Sequence, residues 1–140
     1  MIEQFKKMIG KEAKNVSPSP YGRWLNGTLL AAEEGKIKMS YKVREEFANP
    51  AGIAHGGVLA GIIDEVIGMT THTLGRDGFF VAVNLNVDFL RAAKTGDEIT
   101  IETEVVRAGK TIAHVECQIF DKEGKLLAKA SSNLLKTVIK

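Results

Sequence analysis

The sequence predicts one α+β domain in which a curved antiparallel sheet of about six strands wraps around a single long helix. Residues 54–75 have helical periodicity and are apolar on most sides, as expected of a buried helix. Segments before and after them alternate apolar and polar residues, which is the pattern of half-buried strands. Short turns join these segments, and such turns require antiparallel neighbours. Wrapping the sheet around the helix is the economical way to bury it.

The N-terminal segment, residues 1–16, is predicted to form one short amphipathic helix on the domain surface. Its apolar residues recur at helical spacing with lysine and glutamate between them, and they are Ile2, Phe5, Met8 and Ile9. The Ser-Pro-Ser-Pro run at residues 17–20 is predicted to end this helix.

Two strands are predicted next, from Trp24 to Ala32 and from Ile37 to Val43, joined by a hairpin turn. After the central helix, a long strand is predicted across residues 79–89. Its apolar residues are expected to share one face, and they are Phe79, Val81, Val83, Leu85, Val87 and Phe89. Three further strands with the same alternation follow in antiparallel order, around residues 99–105, 113–119 and 125–138.

Composition limits the classes of function. The 140 residues suit a single domain, 1–140, and the net charge of +2, with no basic run interleaved with aromatics, argues against a nucleic-acid partner. The single Cys117 cannot form an intrachain disulfide. Charged residues interrupt the central helix, and no signal peptide is recognised, so we expect a cytoplasmic protein without membrane contact.

The start of the central helix is the first candidate site. The backbone N–H groups of Gly56 and Gly57 are expected to be free there, and the positive end of the helix dipole adds to their attraction for a carbonyl oxygen or oxyanion. Glycine also lets a ligand approach the backbone closely.

Asp64 is the second candidate, as a carboxylate on an otherwise apolar helix. It follows Gly56 by eight residues, so the two lie ~12 Å apart along the helix and point in different directions. They can act on one carbonyl only if Asp64 comes from a second subunit. An enzymatic interpretation therefore requires at least a homodimer with sites at the subunit interface.

These residues resemble a known family. Asn49, His55-Gly56-Gly57 and Asp64, followed by the stretches VNLNVDFLRAAKTGD and VVRAGKTIAHVECQIFD, are similar to the hotdog-fold acyl-CoA thioesterases of the phenylacetate-pathway and 4-hydroxybenzoyl-CoA type. The resemblance covers residues 20–138. It implies the hotdog fold, an acyl-CoA substrate, no separate cofactor or metal, and a homodimer that pairs into a tetramer.

The resemblance also implies roles. The Gly56 N–H would polarise the thioester carbonyl, Asn49 would hold that carbonyl or the water, and Asp64 of the neighbouring subunit would be general base or nucleophile. His55 would shape the pocket with Gly57. Ala82 stands where relatives place a Ser or Thr that positions water. The coenzyme A phosphates would be bound by basic residues, for which the candidates are Arg91, Lys94, Arg107 and Lys110.

Other interpretations stay open at this stage. His55 could be a helix-start residue only, and Glu65 is expected to face elsewhere as a structural partner. The chain could be a non-catalytic acyl-CoA-binding module, or a hotdog dehydratase acting on acyl thioesters. His72, His114 and Cys117 are expected to be ordinary packing or surface residues, without metal-ligand spacing.

Overall fold

The predicted fold is confirmed by the computed structural model, which describes residues 1–138. The chain forms α1 (Ile2–Lys6), α2 (Ala13–Val16), α3 (Pro20–Leu25), β1 (Thr28–Glu33), β2 (Lys36–Lys42), a 3₁₀ turn (Glu45–Phe47), α4 (Gly56–His72), β3 (Phe79–Ala82), β4 (Asn86–Phe89), β5 (Glu98–Ala108), β6 (Ile112–Phe120) and β7 (Leu126–Thr137). All seven strands form one antiparallel sheet in the order β1-β2-β5-β6-β7-β3, and β4 pairs with β7 beside β3.

The central helix α4 packs against β2, β3, β5 and β6, so the sheet covers it on one side. Its buried apolar residues form the middle of the core, and they are Leu59, Ile62, Ile63, Val66 and Ile67. Each fully buried side chain of this kind contributes roughly 1.5–3 kcal/mol. None of the helices described within residues 1–138 combines the length and apolarity needed to cross a bilayer.

The N-terminal segment is not one helix, and the prediction for residues 1–16 was wrong in this respect. The chain turns between α1 and α2 at Gly10, whose φ of +84° suits glycine. The Gly10 N–H donates to the carbonyl of Leu29 (2.8 Å), and Glu12 forms a bridge with Thr28. Backbone hydrogen bonds to β1 therefore replace the helical bonds that a continuous helix would have made.

The strand predicted from Trp24 begins only at Thr28, because α3 occupies the residues before it. The Ser19 hydroxyl accepts a hydrogen bond from the Gly22 N–H (3.0 Å), with proline at the next position. Asn26 ends the helix with φ 55°. A capping serine, an N-terminal proline and a left-handed asparagine are sufficient to specify a short helix despite its apolar content.

The strand predicted across residues 79–89 is divided, and its apolar residues do not share one face. Phe80 and Ala82 pack against the core in β3, whereas odd-numbered Leu85 and Val87 do so in and just before β4. Phe79, Val81 and Val83 are instead 52%, 48% and 64% exposed. The change arises at Asn84, whose side-chain oxygen accepts the Asn133 N–H (2.9 Å) in place of a regular ladder bond. Because the core-facing residues change from even-numbered to odd-numbered positions, β3 is left at the end of the sheet with exposed apolar side chains.

Cys117 lies in the core on β6, as predicted, with 2% of its surface exposed. Burial raises the pKa of its thiol from 9.0 to about 12, so almost none of it is thiolate at pH 8. We expect no reaction of the native protein with 5,5′-dithiobis(2-nitrobenzoate) over an hour at pH 8, and one thiol per chain after denaturation in guanidinium. Rapid labelling of native protein would contradict the buried position.

Candidate active site

The loop before α4 is folded by its own hydrogen bonds. The Asn49 N–H donates to the Ile53 carbonyl (2.9 Å), and the Gly52 N–H donates back to the Asn49 carbonyl (2.9 Å). The Asn49 side-chain oxygen accepts the Ala51 N–H (2.9 Å). This contact fixes the amide orientation and leaves the Asn49 Nδ2 group as a hydrogen-bond donor at the surface of the loop.

His55 is the N-cap of α4. Its Nδ1 atom accepts the Gly57 N–H (2.9 Å), so in the neutral ring the proton is on Nε2. The Val58 and Leu59 N–H groups donate to the His55 carbonyl (2.9 and 3.1 Å). The expectation that the Gly57 N–H is free was therefore wrong. The Gly56 N–H has no acceptor among residues 1–138, and it is the N–H of the first turn left to bind a ligand.

Gly56 lies next to the Phe89 ring but remains partly accessible from solvent. A Cβ atom built on Gly56 would lie 3.3 Å from Cζ of Phe89, a ring that is itself 53% exposed. The loop after β4 is joined to the loop before α4, because the Ala54 N–H donates to the Ala93 carbonyl (2.7 Å) and Ile53 forms a bridge with Lys94. Lys94 is thereby placed beside the N-terminus of α4, and Arg91 is three residues earlier in the same loop.

Arg107 and Lys110 lie at the other end of the molecule. Arg107 is near the end of β5 and Lys110 is in the turn between β5 and β6, where the Arg76 guanidinium donates to the Gly109 carbonyl (2.6 Å). Arg76 follows the C-terminus of α4, and a helix of 17 residues is ~25 Å long. The four basic candidates therefore form two separate pairs within one chain, and only Arg91 and Lys94 are near Gly56.

Asp64 is exposed on α4 and makes no hydrogen bond or ion pair within residues 1–138. Because α4 is continuous from Gly56 to His72, the ~12 Å between Gly56 and Asp64 applies within one chain. Ala82 is half-buried in β3, which packs against α4. Its methyl group cannot donate or accept a hydrogen bond, so it cannot orient water as a hydroxyl would.

A cavity of ≈ 410 Å³ lies between the N-terminal segment, α4 and the inner face of the sheet. Asp64 and Glu65 both line it, so the expectation that Glu65 faces elsewhere was wrong. Gly22 makes room for the Glu65 carboxylate, because a Cβ atom there would lie 2.6 Å from its Oε1 atom. Gly22 lies in α3, which the sequence patterns did not predict, so no sequence signal indicated this contact.

Tyr41 is a residue of the cavity that the sequence did not single out. It is buried on β2, and its hydroxyl lies 3.6 Å from the Met39 sulfur. Burial, and then the charge of Glu65, raise the pKa of this phenol, so it remains a protonated donor at neutral pH. The sequence did not single out Tyr41, because it occupies an ordinary position on the apolar face of an alternating strand.

His72 and His114 both contact other side chains of the domain. The His72 ring packs edge-on to Phe5 (6.2 Å between centroids) and stacks on Phe79 (6.4 Å). His114 Nδ1 lies 2.8 Å from the Asn133 side-chain oxygen. Within residues 1–138, no three His, Cys, Asp or Glu side chains are grouped so that they could hold a metal ion.

Comparison with known proteins identifies the family of the chain. The model of the thioesterase superfamily matches residues 51–128. Human acyl-coenzyme A thioesterase 13 is 35% identical over 103 residues, which are 73% of this chain and 74% of that protein. Zebrafish thioesterase superfamily member 2 superposes with a TM-score of 0.82 at 27% identity, covering 98% of this chain and 99% of the other. A hypothetical thioesterase of Streptococcus pneumoniae TIGR4, solved with coenzyme A, superposes with a TM-score of 0.77 at 29% identity, covering 82% and 88%. With its antiparallel sheet around one long helix, the chain belongs to the thioesterase superfamily and has the hotdog fold.

Proposed function

We propose that the protein hydrolyses acyl-coenzyme A thioesters to a free carboxylic acid and coenzyme A. The observation that carries the proposal is the Gly56 N–H at the start of a 17-residue helix, which has no acceptor in the described part of the chain. This donor and the helix dipole together favour negative charge on a carbonyl oxygen, which is the charge that develops during thioester cleavage. The name of the human relative and the coenzyme A in the streptococcal structure support the substrate class.

In the proposed reaction, the thioester is bound at Gly56 of one subunit, and Asp64 of the other subunit acts as general base or nucleophile. As general base, the carboxylate takes a proton from water, the hydroxide adds to the acyl carbon, and the C–S bond breaks to release coenzyme A thiol and the acid. As nucleophile, it attacks the acyl carbon, expels coenzyme A thiolate and forms a mixed anhydride that water then cleaves. The Asn49 side chain, whose oxygen already accepts the Ala51 N–H, would donate from Nδ2 to the carbonyl or to the water.

A homodimer is part of this proposal. Gly56 and Asp64 are separated along one helix. Within the described residues, β3 has an unpaired edge, with exposed Phe79 and Val81 on the strand and exposed Val83 just after it. Such an edge is suited to pairing with a second chain. Association of two dimers into a tetramer rests on family resemblance, and analytical ultracentrifugation distinguishes the two masses.

Coenzyme A is proposed to bind with its phosphates near the loop that carries Arg91 and Lys94, because this loop adjoins the N-terminus of α4. Arg107 and Lys110 could reach the same ligand only from the partner subunit. We propose no cofactor besides the coenzyme A of the substrate, and a cytoplasmic location.

Thiol release from a panel of acyl-CoA substrates tests the proposal. The panel contains aliphatic and aromatic acyl-CoAs, with crotonyl-CoA to detect hydration. Turnover of at least one member, with equal amounts of thiol and acid formed, is expected. Tight binding without thiol release would identify a non-catalytic binder, and hydration of crotonyl-CoA would identify a dehydratase. Either outcome would overturn the proposal.

A further inference from the structure

All four methionines of the chain line one cavity. Met1 and Met8 come from the N-terminal segment, Met39 from β2 and Met69 from α4, so they meet there from distant parts of the sequence. Methionine is unbranched and polarisable, and it adapts to ligands of variable shape. The volume of ≈ 410 Å³ is within the range of small-molecule sites.

The cavity follows α4 from Asp64 to His72. The helix residues along it include Gly68 in the middle. Eight residues of helix rise by ~12 Å, so the α4 residues that line the cavity span ~12 Å. A Cβ atom on Gly68 would find no atom within 4 Å, so the helix leaves open space at the centre.

The two ends of the cavity differ chemically. At one end are the carboxylates of Asp64 and Glu65. At the other end, the rings of Phe5 and Phe79 pack on either side of His72 and line the cavity. A ligand that reacts at Asp64 would therefore extend between methionines towards an aromatic end wall.

We propose that this cavity binds the acyl chain of the substrate, and that the chain is a straight aliphatic chain of about ten carbons. C–C bonds of ~1.5 Å at tetrahedral angles advance ~1.25 Å each, so ~12 Å accommodates about ten of them. The acyl chain is then held by the subunit that supplies Asp64. The inference rests on the proposed function, because it places the thioester beside Asp64.

Gly68→Val tests the middle of the cavity. It should lower kcat/KM for decanoyl-CoA by at least tenfold and change kcat/KM for butyryl-CoA by less than about twofold, because only a long chain passes residue 68. Gly68→Ala is the matched control: it adds one methyl group, improves helix propensity, and should leave more of the decanoyl-CoA activity.

Phe79→Ala tests the end wall and should move the preferred chain length upwards. Ile112→Ala is its control, because Ile112 on β6 has similar exposure (50% against 52%) but does not line the cavity. Equal losses for all chain lengths in Gly68→Val, or a wild-type preference for benzoyl-CoA or butyryl-CoA over decanoyl-CoA, would overturn the inference.

Binding separates this inference from the proposed function. Isothermal titration of Asp64→Asn protein with butyryl-CoA and decanoyl-CoA needs no turnover. Decanoyl-CoA should bind at least 100-fold more tightly, since each buried methylene contributes roughly fourfold. A protein that hydrolyses nothing but shows this difference would refute the enzyme and retain the acyl site. A protein that hydrolyses thioesters but binds both ligands equally would refute the acyl site alone.

Discussion

Asp64→Asn is expected to lower kcat/KM for a good acyl-CoA substrate by about 10³-fold, because general base catalysis contributes between 10² and 10⁴ and an amide cannot accept the proton. The fold should persist. Asp64 is exposed, the amide has nearly the same shape, and the carboxylate makes no hydrogen bond or ion pair within residues 1–138. Steady-state thiol release and circular dichroism melting check the two halves of this prediction.

Asp77→Asn is the matched control, since Asp77 is an exposed carboxylate in the turn before β3. It should retain wild-type activity. Undiminished turnover in Asp64→Asn would remove Asp64 from the mechanism, whatever its position in the cavity.

Isotope labelling tests the nucleophilic role of Asp64. During turnover in H₂¹⁸O, water that cleaves the anhydride at the aspartyl carbonyl places ¹⁸O in Asp64 and leaves one original Asp64 oxygen in the acid. Water that cleaves it at the acyl carbonyl places ¹⁸O in the acid alone, as general base catalysis also does. A labelled Asp64 peptide, detected by mass spectrometry after several turnovers, would therefore establish the nucleophilic role.

Gly56→Pro should cost between 10² and 10³ in kcat, the usual effect of removing one oxyanion donor. Proline deletes the N–H group, and this position tolerates it. Gly56 is the first helical residue, where proline is favoured, and its N–H has no partner within residues 1–138. His55, with φ −62° and ψ 135°, already has the conformation that precedes proline.

Gly56→Ala separates the N–H group from the side chain. It introduces the same Cβ atom against the exposed Phe89 ring but keeps the N–H group, so it should lose much less activity. Equal losses in the two variants would mean that crowding at Phe89, and not a hydrogen bond to the carbonyl, explains the effect.

Combining the two inactive variants tests whether the site spans two chains. A hybrid dimer of Asp64→Asn and Gly56→Pro subunits would contain one site with both functional groups intact. Random mixing makes about half of the dimers hybrids, each with one of two sites, so about a quarter of wild-type activity should return. No recovery in a verified hybrid would place both groups in one chain.

The outline of the fold could be predicted from the sequence because it depends on periodicity. Local hydrophobic periodicity specifies the apolar helix and the alternating strands. The need to bury that helix then determines that the sheet packs around it. The strand start predicted at Trp24 and the single helix predicted for residues 1–16 were wrong, because capping residues and bonds to β1 outweighed an apolar pattern. The prediction that the apolar residues of 79–89 share one face was wrong, because the irregular residue Asn84 reverses the alternation after it.

The site could be predicted only in part. The motif around His55 located a helix N-terminus, but which N–H remains free depends on the rotation of one imidazole ring. The cavity could not be predicted, because Met1, Met8, Met39 and Met69 converge only after the N-terminal segment has packed over α4. Likewise, the room for the Glu65 carboxylate depends on a contact with Gly22, 43 residues away in the chain.

The exposed strand β3 has a consequence for the newly made chain. Phe79, Val81 and Val83 accompany a strand edge that is unpaired within residues 1–138, and this combination templates aggregation. A folded monomer that has not yet formed a dimer would expose this aggregation-prone edge. Solubility would then depend on the rate of dimerisation, which is slowest when synthesis is slow or the protein is dilute.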